Sequence, residues 1–190
     1  NPGIDPLGAE NVLVFATGPV AGSGLPLGSR YDAVTKSPLT GTATSANSGG
    51  KFGTSLKRAG YDAVVIRGRA ERPVYLLLDD GHAEVRDASA LWEMTTSETT
   101  AAVREDLGDP GISVACIGPA GEKQVPLAGI LHDGVHARAA GRGGLGAVMG
   151  SKNLKAIVAK GKRLPAIADR KALNELIIES NNRMKEKGAV

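Results

Sequence analysis

Apolar residues in this chain come in short runs, and most of those runs stop at glycine. Asn11–Ala16, Asp62–Ile66, Ile112–Ile117 and Asn153–Ala159 each have strand length and a cluster of aliphatic or β-branched side chains. The first and third run into Gly-Pro (Gly18-Pro19 and Gly118-Pro119), which predicts a strand meeting a turn. The second and fourth end at Gly68 and Gly161. Val74–Leu78 and Ala83–Arg86 flank Asp80-Gly81, the signature of a hairpin turn. Leu127–Leu131 is apolar and predicted to be extended.

Helical spacing appears in fewer places. Thr95-Thr-Ser-Glu98 is a capping box. It opens a predicted helix over Thr96–Leu107, with Ala102, Val103 and Leu107 on one face and Gly108 at its end. Arg170–Lys187 is a second helix, N-capped by Asp169, with Leu173, Leu176, Ile177 and Met184 near one face. Ser55–Ala59 makes one or two turns closed by Gly60. From Val20 to Gly53 the chain is rich in Gly, Ser, Thr and Pro, and reads as one long loop, functional or disordered.

The pattern repeats. Shifted by 93 positions without a gap, residues 49–68 fall on residues 142–161: Gly50 on Gly143, Gly53 on Gly146, Leu56 on Met149, Ala63 on Ala156, Val65 on Val158 and Gly68 on Gly161. Val14–Pro19 is echoed by Val114–Pro119. A repeat this long is not a solenoid. It predicts two halves, each a strand, a Gly-Pro turn, a glycine-rich loop, a short helix and a strand. If the halves are related by a pseudo-twofold, their glycine loops face one another and hold a ligand that itself has two similar halves.

Composition narrows the chemistry. The chain has 190 residues, 42% of them hydrophobic, which is enough for a real core. Only 3% are aromatic, so that core is aliphatic. A net charge of +3 is too small to mark a nucleic-acid-binding tail. One cysteine, Cys116, sits in an apolar run; alone it makes no internal disulfide and holds no iron–sulfur cluster or structural zinc. No run is long enough to span a membrane and no signal peptide is visible, so the expectation is a soluble, cytoplasmic protein that binds neither membrane nor nucleic acid. The chain begins at Asn1 rather than Met and ends in polar helical sequence, and so reads as a piece of something longer.

Gly141-Arg-Gly143-Gly-Leu-Gly146 matches the dinucleotide fingerprint G-x-G-x-x-G. That fingerprint needs a strand before it and an acid about 20 residues later. Here residues 132–140 make a poor strand, and no acid follows until Asp169. Gly150-Ser-Lys152 has Ser and Lys in the wrong order for a Walker A loop. The physics outlives both labels: glycines let backbone N–H groups approach an anion, and Arg138 and Arg142 add bidentate donors. Ser45-Ala-Asn-Ser-Gly-Gly50 offers similar backbone with Asn47 as donor and acceptor. His132 and His136 lie near Arg138; surface or supporting hydrogen bonds are expected of them rather than proton transfer. Ser48 and Ser151 have no recognisable His and acid partners, Asp79-Asp80 is a hairpin turn, and Lys57-Arg58 and residues 160–163 are solvated faces.

Four stretches carry a resemblance. Ser37–Gly41, Ser45–Gly50, Ala115–Glu122 and Arg138–Ala156 resemble the N-terminal domain of the tungsten-containing aldehyde ferredoxin oxidoreductases, over nearly the whole chain to about Lys162. The resemblance implies an α+β fold in which two β-sheets, related by a pseudo-twofold, form a saddle with short helices. It implies a metal-pterin binding domain over residues 1–163, with 164–190 opening a following helical domain. On that saddle would sit tungsten or molybdenum carrying two pterin dithiolenes. Arg30, Asn47, Ser48, Gly49 and Gly50 would bind it from one half; Arg138, Ala139, Gly141 and Arg142 from the other. Magnesium between the two pterin phosphates would be held partly by the backbone carbonyls of Asn47 and Ala139.

The implied whole enzyme oxidises an aldehyde to a carboxylic acid and passes electrons through a [4Fe–4S] cluster to ferredoxin. The cluster cysteines and proton-transfer groups of the family lie in later domains, so this stretch holds no catalytic residue and is expected to be inactive alone. Expected partners are ferredoxin, a small aldehyde, the remaining domains of the same chain and, in a homodimer, a second copy. Two alternatives stay open: a non-catalytic phosphate or nucleotide module, and a related metal-pterin reductase acting on another substrate.

Overall fold

The computed structural model describes residues 3–134 and 137–188. Two sheets carry the chain. Strands β1 (Leu13–Thr17), β2 (Tyr31–Lys36), β3 (Ala43–Ser48) and β4 (Ala63–Ile66) form an antiparallel sheet in the order β3-β2-β1-β4. The second sheet runs β6-β5-β10-β7-β8-β9. It is built from β5 (Val74–Asp79), β6 (His82–Asp87), β7 (Ser113–Cys116), β8 (Ile130–His132), β9 (Arg138–Ala140) and β10 (Leu154–Lys160). Five helices complete the fold: α1 (Phe52–Arg58), α2 (Thr96–Asp106), α3 (Pro119–Glu122), α4 (Leu145–Ser151) and α5 (Arg170–Glu186).

The repeat in the sequence is a repeat in topology. The series β1-β2-β3-α1-β4 recurs as β7-β8-β9-α4-β10, with the same neighbours in each sheet. Even the register recurs. Ala16 pairs with Ala63 in the first half, and its echo Cys116 pairs with Ala156 in the second. Ala16 also faces Asp32, which faces Asn47; Cys116 faces Leu131, which faces Ala139. Asn47 and Ala139 therefore hold equivalent places on the two edge strands. They lie 92 positions apart while the helices are 93 apart, so the second glycine loop is one residue longer.

The halves interlock. Helix α1 touches β1 of its own sheet and β7 and β10 of the other, and α4 touches β10 of its own sheet and β1 and β2 of the other. The shared core joins Leu13, Phe15, Tyr31, Phe52 and Leu56 to Ile117, Ile130, Leu145, Met149 and Ile157. Burial on this scale, at roughly 25 cal/mol per Å² of apolar surface, is the dominant stabilising force. A second cluster, including Tyr75, Val103, Ile112, Val114 and Val158, lies where α2 covers the outer face of the second sheet. With both faces covered, β7 and β10 are buried almost throughout and read as continuous apolar runs rather than alternating ones.

Local signals account for much of this. The capping box is complete: the Glu98 N–H donates to Thr95 Oγ1 and the Thr95 N–H donates to Glu98 Oε2. Asp80 and Gly81 both adopt positive φ, as the tight hairpin turn between β5 and β6 requires. Asp169 caps α5, accepting from the Ala172 N–H. No residue of α5 is buried, although Leu173, Ile177 and Met184 are half-covered.

Four expectations are corrected. The presumed loop from Val20 to Gly53 contains β2 and β3. In β2 the alternation is present at Tyr31, Ala33 and Thr35, all buried, but only one of the three is large. Strand β3 is almost wholly polar and exists because β2 supplies its ladder partners. Gly118-Pro119 opens a one-turn helix instead of a bare turn, since proline suits the first helical position. A strand does precede the G-x-G-x-x-G loop, namely β9. The dinucleotide reading fails for another reason: β10, β7, β8 and β9 pair antiparallel in succession, so β9 and β10 run in opposite directions and form no βαβ unit. Finally, α2 buries Thr99, Thr100 and Val103, while Ala102 is only half-covered. The threonine hydroxyls are satisfied internally by the Thr95 and Thr96 carbonyls.

Candidate cofactor cradle

The edge strands β3 and β9 of the two sheets abut. Each is followed by its glycine loop, so both loops meet at one seam. The contacts are close: a Cβ on Gly143 would lie 2.5 Å from Thr44 Oγ1, and one on Gly50 would lie 2.0 Å from Asp133 Oδ2. Ser37, just past β2, donates its hydroxyl to the Gly143 carbonyl at 2.7 Å. Each half thus pins the other's loop.

Of the residues singled out from the sequence, Arg30, Asn47, Arg138, Ala139, Gly141 and Arg142 all lie on the exposed side of this seam, and Gly49 and Gly50 are half-buried. Asn47 is held firmly. Its Oδ1 accepts from Arg30 Nε, and its Nδ2 donates to Asp32 Oδ2 at 2.9 Å and to the Tyr31 carbonyl at 3.3 Å. The guanidinium groups of Arg138 and Arg142 make no hydrogen bond or ion pair with any described residue. Gly141 has negative φ and no atom nearer its absent Cβ than Ala139 Cβ at 3.7 Å, so the surface there is open. The other glycines of the motif serve packing: Gly144 sits against the Pro126 carbonyl and Pro38, and Gly146 against the Gly129 carbonyl. The start of α4 is accordingly buried, as are Ser151 and Lys152 at its end. Lys152 donates to the Ala9 and Gly68 carbonyls, and burial lowers its pKa.

Ser48 differs from its neighbours. It points inward, is 3% exposed, and its Oγ lies 2.9 Å from His132 Nε2. His132 Nδ1 in turn lies 3.3 Å from Asp133 Oδ1. The sequence offered Ser48 no partners, and the fold supplies them from the other half. A serine, a histidine and an acid in line is the order of a hydrolytic triad. Burial decides against that use, because His132 is 2% exposed and no substrate reaches the hydroxyl. Tyr31 packs edge to face against both Phe52 and His132, and Phe52 lies tilted against His132. The Tyr31 phenol is pushed well above its ordinary pKa, first by burial and then by the Asp133 charge. His132 is thus a core histidine at the end of β8 rather than a surface loop residue, and His136 lies outside the described residues.

Asp133 escaped the sequence reading. Its Oδ2 accepts the Lys51 N–H at 2.9 Å. Burial alone would raise its pKa, but the nearby His132 imidazole and the hydrogen bond from the Lys51 N–H together bring it below the ordinary carboxylate value. Beside it opens a cleft of about 550 Å³, whose lining includes Lys51, Arg104, Asp133 and Arg138. Cations outnumber the one acid there, which favours anionic ligands near the seam. Among the described residues no cluster of His, Cys, Asp and Glu is suited to hold a metal directly. No helix of the described residues is long and apolar enough to cross a membrane.

Cys116 is buried between α2 and the second sheet, and burial pushes its thiol up to about 11. A thiol-specific reagent should leave the folded protein unmodified at neutral pH and react with one thiol per chain in denaturant; rapid labelling of the native protein would contradict this placement.

The fold and these residues have relatives. The profile of the aldehyde ferredoxin oxidoreductase N-terminal domain matches residues 1–161. The chain is 52% identical over 185 residues to the tungsten-containing aldehyde ferredoxin oxidoreductase of Pyrococcus furiosus, covering 97% of this chain and 30% of that protein. It is 38% identical to the WOR-like subunit of an aliphatic sulfonate oxidoreductase from the same organism, over 93% of this chain and 30% of the relative. Among solved structures, the BamBC active-site complex of benzoyl coenzyme A reductase, bound to 1,5-dienoyl-CoA, superposes with a TM-score of 0.94 at 35% identity, covering 99% of this chain and 28% of that one. The chain therefore spans about 30% of the length of the curated relatives it matches. It belongs to the aldehyde ferredoxin oxidoreductase family and matches the N-terminal domain of that family.

Proposed function

We propose that the seam between β3 and β9 cradles a tungsten bis-pterin cofactor, in a full-length enzyme that oxidises aldehydes to carboxylic acids and passes the electrons to ferredoxin. The observation that carries this is the register equivalence of Asn47 and Ala139. A ligand with two similar halves needs two similar seats, and these residues occupy matching places on abutting edges. The donor set fits such a group. Arg138 and Arg142 are exposed cations without partners among the described residues, suited to bidentate phosphate binding. Gly141 leaves room for close approach. The main-chain oxygens of Asn47 and Ala139 are hard ligands, appropriate to a magnesium ion that keeps several waters.

When bound, the metal and its dithiolenes supply the two-electron redox step, in which aldehyde and water become carboxylic acid, two protons and two electrons. The residues of this chain bind and orient. Arg30 fixes the Asn47 amide, and with it the direction of the first loop. Arg138 and Arg142 balance phosphate charge from the second loop. Gly49 lets Arg30 lie flat beside the loop, since a Cβ there would stand 3.1 Å from Arg30 Nη1. Ser48 contributes from beneath, through His132, rather than by touching the ligand. Residues 1–163 form the cradle domain in this reading, and α5, with nothing buried, opens the next. The [4Fe–4S] cluster and the substrate channel belong to the remainder of the chain, and the enzyme is cytoplasmic. The likeness to a benzoyl coenzyme A reductase supports one variant, in which the same cradle serves a reduction of another substrate.

Two substitutions test the cradle in the full-length protein. Arg142→Ala should lower tungsten and pterin per chain, measured by elemental analysis, with the unfolding midpoint unchanged. Gly141→Ala, at an open position of ordinary φ, should do the same without a stability cost. Wild-type metal content in both would remove the cradle from this seam.

A further inference from the structure

Asp133 stands out by backbone as well as by contact. It adopts φ +67°, a left-handed conformation that is uncommon outside glycine and that Asp tolerates better than most residues. Both carboxylate oxygens have near neighbours. One lies 3.3 Å from His132 Nδ1 and the other accepts the Lys51 N–H at 2.9 Å. That N–H belongs to the first glycine loop, which is supplied by the other half of the duplication. Gly50 completes the fit, because any Cβ there would collide with the carboxylate.

The pseudo-twofold makes this an asymmetry. The register that equates Leu131 with Asp32 equates Asp133 with Val34, two residues further on. The second loop therefore faces no acid from the first half. It carries instead Arg138 and Arg142, whose guanidinium groups bond no other described residue.

We propose that Asp133 is the built-in anion of the first loop, a positioning residue that takes the Lys51 N–H and so fixes the first loop against the half of the chain that carries the second. With the Lys51 N–H used internally, the backbone of the first loop is held so that Asn47 keeps its place matching that of Ala139 on the abutting edge. The second loop adds Arg138 and Arg142, whose guanidinium groups bond no other described residue, for phosphate. His132 lies between Ser48 and Asp133, its Nε2 2.9 Å from Ser48 Oγ and its Nδ1 3.3 Å from the Asp133 carboxylate, which places the carboxylate near the end of β3. This inference rests on the cradle proposed above and adds to it the residue that holds the first loop in place.

The test uses full-length protein purified without oxygen, with tungsten and magnesium per chain as readout. Asp133→Ala should reduce both about tenfold, the scale on which supporting groups around a metal site act. Formate added during purification should restore most of the loss by taking the carboxylate's place, which a general loss of structure would not allow. Asp133→Asn fills the same space and should show a loss that formate does not rescue. If Asp133→Ala fails to accumulate, His132→Gln releases Asp133 on one side and should lower magnesium per tungsten with the unfolding midpoint of the metal-free protein unchanged. Wild-type tungsten and magnesium in the folded variant, or a loss in Asp133→Ala that formate leaves untouched, would overturn the assignment. Wild-type protein lacking tungsten and pterin altogether would overturn the cradle itself, whatever Asp133 does.

Discussion

Lys155→Met should cost about 3–5 kcal/mol of folding stability, the range for breaking a buried ion pair. Lys155 is fully buried in β10, where its neighbours along the strand are all apolar. Its ammonium donates to Glu122 Oε1 and to the Met94 carbonyl, and Glu122 Oε2 accepts the Glu93 N–H at 2.9 Å. The cluster fastens α3 and the segment before α2 onto the second sheet. Removing the lysine leaves the Glu122 carboxylate, itself 4% exposed, without its counter-charge. For a domain of this size the thermal midpoint should fall by roughly 10 °C. The double variant Lys155→Met with Glu122→Leu should recover most of that loss, because two charges no longer need burying. A double variant no better than the single would mean that the Glu93 and Met94 backbone groups, rather than the charges, carry the cost.

The second large effect is expected at Gly53 and Gly146, which the repeat aligns. Each sits in a short helix pressed against backbone. A Cβ on Gly53 would lie 2.4 Å from the Ser29 carbonyl oxygen, and one on Gly146 would lie 2.4 Å from the Gly129 oxygen. Backbone cannot rotate away as a side chain can, so the helix or the segment leading into β2 or β8 must shift. Gly53→Ala and Gly146→Ala should each cost about 1–3 kcal/mol, the usual scale for overpacking a core. Thermal unfolding would read this, and the two should act alike. A neutral result at either position would mean that the halves do not pack their helices equivalently. Because α1 and α4 end the two cradle loops, both variants should also lose tungsten, unlike Arg142→Ala, in which only the metal content falls.

Much of the fold was legible in the sequence. The four apolar strands, the Asp-Gly hairpin, the capping box at Thr95 and the cap at Asp169 are local patterns, set by residues a few positions apart, and the structure contains all of them. The duplication was legible too, since glycines needed for close packing recur at fixed spacing. Strands β2, β3 and β9 were not, because small and polar residues form them and their hydrogen-bond partners hold them in place. The partners of Ser48 were hidden for a like reason. Ser48 and His132 are 84 residues apart, and Lys51 and Asp133 are 82 apart, so no local pattern ties them.

The sequence by itself determined that this protein is built as two similar halves, each with a glycine loop opening a short helix, and that its family resemblance rests on those loops. Only the tertiary structure decided which loop residues face outward. Alternation along β3 turns Asn47 to the surface and Ser48 to the core. Interlocking of the two helices brings the loops to one seam, buries Lys152 away from it and reserves one loop N–H for Asp133. Propensity and periodicity act over a turn or a strand, whereas the choice between a ligand contact and a core contact is made by the half of the chain that folds against it.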